Sequence, residues 1–139
     1  MGIICDTSLL IAAEKKRFDL ASFFLAHPDE EFWVATVTAS ELLHGVERAT
    51  DAKRRTERKN FVEGVLKQLA VAPFQLDEAR QHARLWALLE SKGTMIGPHD
   101  LLIAATALSL GHPLATLNQN EFRRVPGLKL VEVNTFVIA

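Results

Sequence analysis

Short apolar runs of strand type alternate along this chain with longer helical patterns. That alternation predicts an α/β fold with a mainly parallel sheet, because parallel neighbours need helical crossovers between them. The runs are Gly2 to Cys5, Phe32 to Ala35, Val71-Ala72, Leu114 to Leu117 and, after a Pro126-Gly127 turn, Lys129 to Val133. Helical patterns fill the intervals. They cover Leu9 to Ala13 behind the cap-type Asp6-Thr7-Ser8, Phe18 to Leu25, and a stretch capped by Thr36 or Thr38 that runs to Ala49. Three more run from Asp51 to Leu69, from Leu76 to Glu90, and from Gly97-Pro98 to Leu110, the last with proline where a helix start tolerates it. No repeat or low-complexity linker divides residues 1–139, so a single domain is expected.

A content of 48% hydrophobic and 24% charged residues excludes a disordered tail, a fibre or a coiled coil. Sixteen basic residues against seventeen acidic leave a net charge of −1, so any attraction to nucleic acid must come from a local patch. The one cysteine lies in the apolar Ile3-Ile4-Cys5, which excludes a disulfide framework and points to a reducing cytoplasm. The N-terminus lacks the basic region of a secretory signal. Leu101 to Asn120 carries no formal charge, but Gly111-His112-Pro113 interrupts it too early for a membrane span.

Most acids fall on mixed-charge helical surfaces, where Asp51 with Arg55 and Glu63 with Lys67 have i,i+4 spacing. Three stand in apolar settings instead. Asp6 ends the first strand, Glu41 lies in the first turn of its helix, and Asp100 opens the most apolar helix. Taken singly, each reads as a cap or a helix-start acid. Together, in a parallel sheet, they fall at one edge, where open α/β sheets place their sites. Converging carboxylates either share protons or hold a cation. Oxygen donors without paired cysteines favour Mg²⁺ or Mn²⁺, the ions that serve phosphoryl chemistry. The residues alone leave the substrate open.

The blocks Ile4-Cys5-Asp6-Thr7-Ser8-Leu9-Leu10, Ala39-Ser40-Glu41-Leu42-Leu43-His44-Gly45-Val46-Glu47-Arg48 and Ile96-Gly97-Pro98-His99-Asp100-Leu101-Leu102-Ile103-Ala104 resemble a PIN domain. The tail, Ala115-Thr116-Leu117-Asn118 through Glu121 to Leu128, resembles the VapC branch of that family, the ribonuclease toxins of type II toxin–antitoxin pairs. The resemblance implies a three-layer α/β/α sandwich with a short, mainly parallel sheet. It also implies an Mg²⁺-dependent endoribonuclease, with Mn²⁺ as a substitute, that is inhibited by a cognate VapB-like antitoxin. By position, Asp6 and Asp100 would be the principal metal ligands, with Glu41 binding directly or through water. Thr7, Ser8 and Thr116 match hydroxyl positions that line the family's site. Many members have a fourth acid where this chain has Asn118, and Glu121, one turn on, is placed to supply the missing charge. Asn118 also keeps open a non-catalytic PIN module that binds RNA or protein.

His99 neighbours Asp100 and His44 lies one turn from Glu41, but neither is assigned a catalytic role. Arg123 and Arg124 are placed for phosphate, and Lys53 to Lys59 is either a solvated helix face or an RNA backbone track. A homodimer is expected, with the helices bearing Leu9 to Phe24 and Phe61, Val65 and Leu69 as the candidate contacts unless they are core. A haloacid-dehalogenase-like phosphatase fits poorly, since it wants an acid where Ser8 stands.

Overall fold

The computed structural model describes all 139 residues. Strand β1 (Gly2–Cys5) leads to helices α1 (Thr7–Glu14) and α2 (Leu20–Ala26), then β2 (Glu31–Ala35). Helices α3 (Thr36–Glu47) and α4 (Ala52–Gln68) precede β3 (Ala70–Ala72), and α5 (Leu76–Lys92) and α6 (Pro98–Leu110) precede β4 (Leu114–Ala115). A short α7 (Gln119–Phe122) and a 3₁₀ turn (Asn134–Phe136) close the chain. The sheet order is β3-β2-β1-β4 and every pairing is parallel. This is the three-layer α/β/α sandwich with a short parallel sheet that the sequence predicts.

Side-chain alternation divides the core. Ile3, Cys5, Val34 and Ala115 face one way, where they meet Leu9, Leu10, Phe23, Val62 and Val65 from α1, α2 and α4. Ile4, Ala35 and Leu114 face the other way, against Leu85, Leu89, Ile103 and Ala104 from α5 and α6. All four β1 residues are buried, as a central strand covered on both faces requires. Gly2 allows that strand to pass beneath two rings, since a Cβ there would come within 2.8 Å of Trp33 Nε1 and of His112 Nε2. Of the residues proposed for self-association, Leu9, Leu10, Phe23, Val65 and Leu69 are buried core, while Phe24 and Phe61 are partly buried against it.

Four sequence expectations change. Lys129 to Val133 forms no strand, and only Leu130 bridges Leu114. Its intended partner is too short, because β4 stops at Ala115 and Thr116 turns its hydroxyl to accept from the Asn118 N–H. Neither Thr36 nor Thr38 caps α3. The helix runs straight from β2 with Ala35 in the cap position, Thr36 Oγ1 donates to the Ala72 carbonyl at 2.6 Å, and Thr38 is buried. Glu41 therefore stands in the second helical turn, not the first. Arg55 pairs with Glu47 at 3.2 Å and not with Asp51, whose carboxylate caps α4 by accepting from the Arg54 N–H.

The C-terminal segment is tied back across the molecule, with the Asp19 N–H donating to Phe136 O and the Ile138 N–H to Arg17 O. Phe23 anchors this region, edge-on to Phe18, Phe32 and Phe136 with ring centroids 5.4–5.7 Å apart. Phe23→Ala removes a fully buried ring shared by α2, β2 and the chain's end, so it is expected to cost about 3–5 kcal/mol. Urea unfolding of the two proteins measures this loss, and a cost below about 1 kcal/mol would mean that these elements do not share one packed core.

Candidate active site

The chain runs outward from β1 through β2 to β3, then crosses to the other side of β1 to lay down β4. The carboxyl ends of β1 and β4 therefore flank the crevice where such sheets bind ligands. Asp6 follows β1 and Thr116 follows β4, and the Asp6 N–H donates to Ala115 O at 2.9 Å. The Asp6 carboxylate is 2% exposed. Its Oδ1 accepts from the Thr7 N–H at 2.8 Å, and its Oδ2 accepts from Ser8 Oγ and Thr116 Oγ1, both at 2.7 Å. Burial pushes the Asp6 carboxyl above the usual range, and these three hydrogen bonds only partly oppose it.

Glu41 reaches the same crevice from α3. Its Oε1 accepts from Thr7 Oγ1 at 2.7 Å, and its Oε2 lies 3.3 Å from His99 Nδ1 on α6. Thr7 Oγ1 is also hydrogen-bonded to Thr38 Oγ1 at 3.0 Å, so two buried threonines fix one oxygen of Glu41. From the sequence Thr38 is read only as a helix cap, not as part of the site. Its spacing with Leu42 and Val46 marks a core-facing stripe of α3, and a hydroxyl in that stripe was the available signal.

Asp100 stands in the first turn of α6, with Pro98 opening the helix. Glu121 comes from α7, its Oε1 accepting from the Gly97 N–H at 2.7 Å and its Oε2 accepting from Asn118 Nδ2. Asp100 and Glu121 both border Gly97, where an added Cβ would lie 3.6 Å from Asp100 Oδ2 and from Glu121 Oε1. The Gly97 N–H holds the Glu121 carboxyl below its usual range. The Asp100 carboxyl is pushed up to about 7, by burial first, then by the bond with Glu121 and the charges of Asp6, Glu121 and Glu41. The Gly97 amide escaped the sequence reading, since a backbone donor carries no residue signature.

The two arginines part company. Arg124 Nη1 donates to Met95 O at 2.9 Å, and its charge favours the Glu121 carboxylate at the crevice rim. Arg123 is turned aside onto Asn120 Oδ1 and Gln119 Oε1, at 2.9 and 3.1 Å. His44 is exposed on α3 and makes no side-chain hydrogen bond, whereas His99 meets Glu41.

No three of the His, Cys, Asp and Glu side chains form a ready-made ligand set. The donors nevertheless fit a hard cation of the Mg²⁺ kind, which takes one or two carboxylates and keeps most of its water. Asp6, Glu41, Asp100 and Glu121 act on one another electrostatically, and none is ion-paired to a lysine or arginine. Carboxylate charge gathered in a crevice without a directly paired lysine or arginine is what a divalent ion relieves.

The family model for the PIN domain matches residues 3–128. The ribonuclease VapC of Rickettsia bellii is 35% identical over 133 residues, spanning 96% of this chain and 97% of that protein. The tRNA(fMet)-specific endonuclease VapC of Salmonella typhimurium is 33% identical over 97 residues, 70% of this chain and 71% of that protein. Among solved structures, VapBC2 of Rickettsia felis bound to a DNA fragment from its promoter has a TM-score of 0.85 at 26% identity, covering 94% of this chain and 98% of that chain.

Asp100 fixes the sign of a pH effect. An unfolded Asp titrates near 4, and the native carboxyl near 7, so the native state keeps a proton that the unfolded chain has lost. The stability tied to this group is present below about pH 4 and is lost as pH rises toward 7. In the presence of a chelator, Asp100→Asn is expected to melt a few degrees above the wild type at pH 8 and level with it near pH 4. Thermal melts at the two pH values check this, and a wild type that is the more stable at pH 8 would contradict it.

Proposed function

The chain belongs to the PIN-domain family and is homologous to the VapC-type toxins of type II toxin–antitoxin systems, and from that premise we propose that it is an Mg²⁺-dependent endoribonuclease toxin. The carrying observation is the convergence of Asp6, Glu41, Asp100 and Glu121 on one crevice with no lysine or arginine paired to them. In this reading Asp6 and Asp100 are the principal ligands, Glu41 binds directly or through water, and Mn²⁺ can replace Mg²⁺. When bound, the ion supplies charge neutralisation on the phosphate and lowers the pKa of the attacking water.

The chain's own residues set up the rest. Ser8 and Thr116 take up the acceptor capacity of Asp6 Oδ2 and the Thr7 N–H takes one site on Oδ1, so the free acceptor site of this carboxylate is on Oδ1. Thr7 and His99 hold the two oxygens of Glu41 apart and aimed. Glu121 stands in for the acid that Asn118 lacks, and Asn118 orients it through its side-chain amide. Arg124 at the rim is placed to meet a phosphate oxygen; Arg123 would have to swing away from Asn120 to do so. The raised Asp100 carboxyl must lose its proton before it can hold a cation, so metal affinity falls with acidification. A cognate VapB-like antitoxin, a homodimer and a cytoplasmic location complete the proposal.

Purified protein is to be tested on a mixed cellular RNA pool, with Mg²⁺ and with chelator, beside Asp100→Asn. Discrete products are expected from the wild type with Mg²⁺ only. The variant is expected to be about 10³-fold slower, the equivalent of roughly 4 kcal/mol of lost transition-state stabilisation. RNA bound but cut by neither protein would favour a non-catalytic PIN module, and equal cutting by both would place the activity outside this site.

A further inference from the structure

One end of the crevice continues into a groove that the catalytic reading does not use. From Glu41 it runs between α1, α3 and α4, past Lys15 and Arg48, and a second hollow that shares Arg48 and Arg58 extends it to Arg54. Glu41 and Arg48 are seven residues apart at the end of one helix, about 10 Å along its axis. The cations along this groove divide into two kinds. Arg58 is a structural pin: its Nε donates to Glu14 Oε2 and its Nη1 to Gly45 O, both at 3.0 Å, so its charge and that of Glu14 cancel. Lys15, Arg48 and Arg54 make no side-chain hydrogen bond and belong to none of the three ion pairs. Asp51, the acid at the far end, is occupied as the cap of α4.

The basic run on α4 is thereby sorted. Arg54 and Arg58 face the groove, Arg55 is spent on Glu47, and Lys53 and Lys59 stand outside it in solvent. Unpaired cations set along a groove that opens at a carboxylate-lined crevice suit a polyanion entering that crevice. They do not suit a basic peptide. We propose that this groove is the track for single-stranded RNA flanking the scissile bond, with Lys15, Arg48 and Arg54 on its backbone phosphates. The inference rests on the ribonuclease reading and adds the direction from which substrate reaches it.

The test measures binding of a fluorescent single-stranded RNA across a salt series, in an Asp100→Asn background that binds without cutting. Two double variants are compared: Arg48→Gln with Arg54→Gln, and Lys53→Gln with Lys59→Gln. Both remove two positive charges, from side chains that hold no other element in place. Loss of two phosphate contacts is expected to weaken binding about tenfold at moderate salt. It is also expected to make the slope of log affinity against log salt shallower by about 1.4, at roughly 0.7 per single-strand contact. The lysine pair is expected to change the slope little. Equal effects of the two pairs would reduce the groove to general attraction and overturn the track, as would full affinity in the arginine pair. Absence of binding in the parent also overturns it. Cleavage by the wild type then tells whether the ribonuclease reading falls too, or only the route.

Discussion

The Asp6 carboxylate receives a main-chain N–H from Thr7 and hydroxyl protons from Ser8 and Thr116, all within 2.8 Å, in a place solvent hardly reaches. These bonds join the end of β1, the start of α1 and the end of β4. A buried carboxylate is tolerable only with such partners, yet three of them leave Asp6 still inclined to hold a proton. Asp100, raised by its own burial first, also feels the charges of Asp6, Glu121 and Glu41. The molecule is therefore least comfortable at the crevice where these carboxylates meet, the kind of imbalance that a fold keeps at a cost in stability.

The layers of the fold were legible because alternation in short strands and helical spacing are local properties of sequence. Ile3 and Cys5 against Ile4 is a period of two, and the structure sorts them onto opposite faces of the sheet. What failed to show depended on residues far apart in the chain. The segment from Lys129 has the composition of a strand, but it bridges only Leu114, because β4 ends at Ala115 and the chain turns there with the Asn118 N–H on Thr116 Oγ1. The threonines in the first turn of α3 have the composition of caps, but Thr36 bonds to Ala72 and Thr38 is pulled inward to Thr7.

For the candidate site, acids in apolar settings were the legible sign, since an ionisable side chain among buried residues needs a reason to be there. Asp6, Glu41 and Asp100 carried that sign and converge. Glu121 was found only by its distance from Asn118, and the structure gives it two partners, Gly97 N–H and Asn118 Nδ2. The neighbouring arginines show the limit of that kind of reading. Arg123 and Arg124 are adjacent in sequence, yet a helical turn sends one to the crevice rim and the other to Asn120.

Cys5 is the chain's single cysteine, fully buried in the central strand immediately before Asp6. Burial, reinforced by the charge of Asp6, pushes its thiol up to about 12. A thiol so placed stays inert toward alkylating reagents for as long as β1 is covered on both faces. The rate at which it is labelled in the native protein is then a clock for opening of the sheet, free of background from any other sulfhydryl. The same opening would scatter the carboxylates, so the clock also times how long the crevice stays assembled.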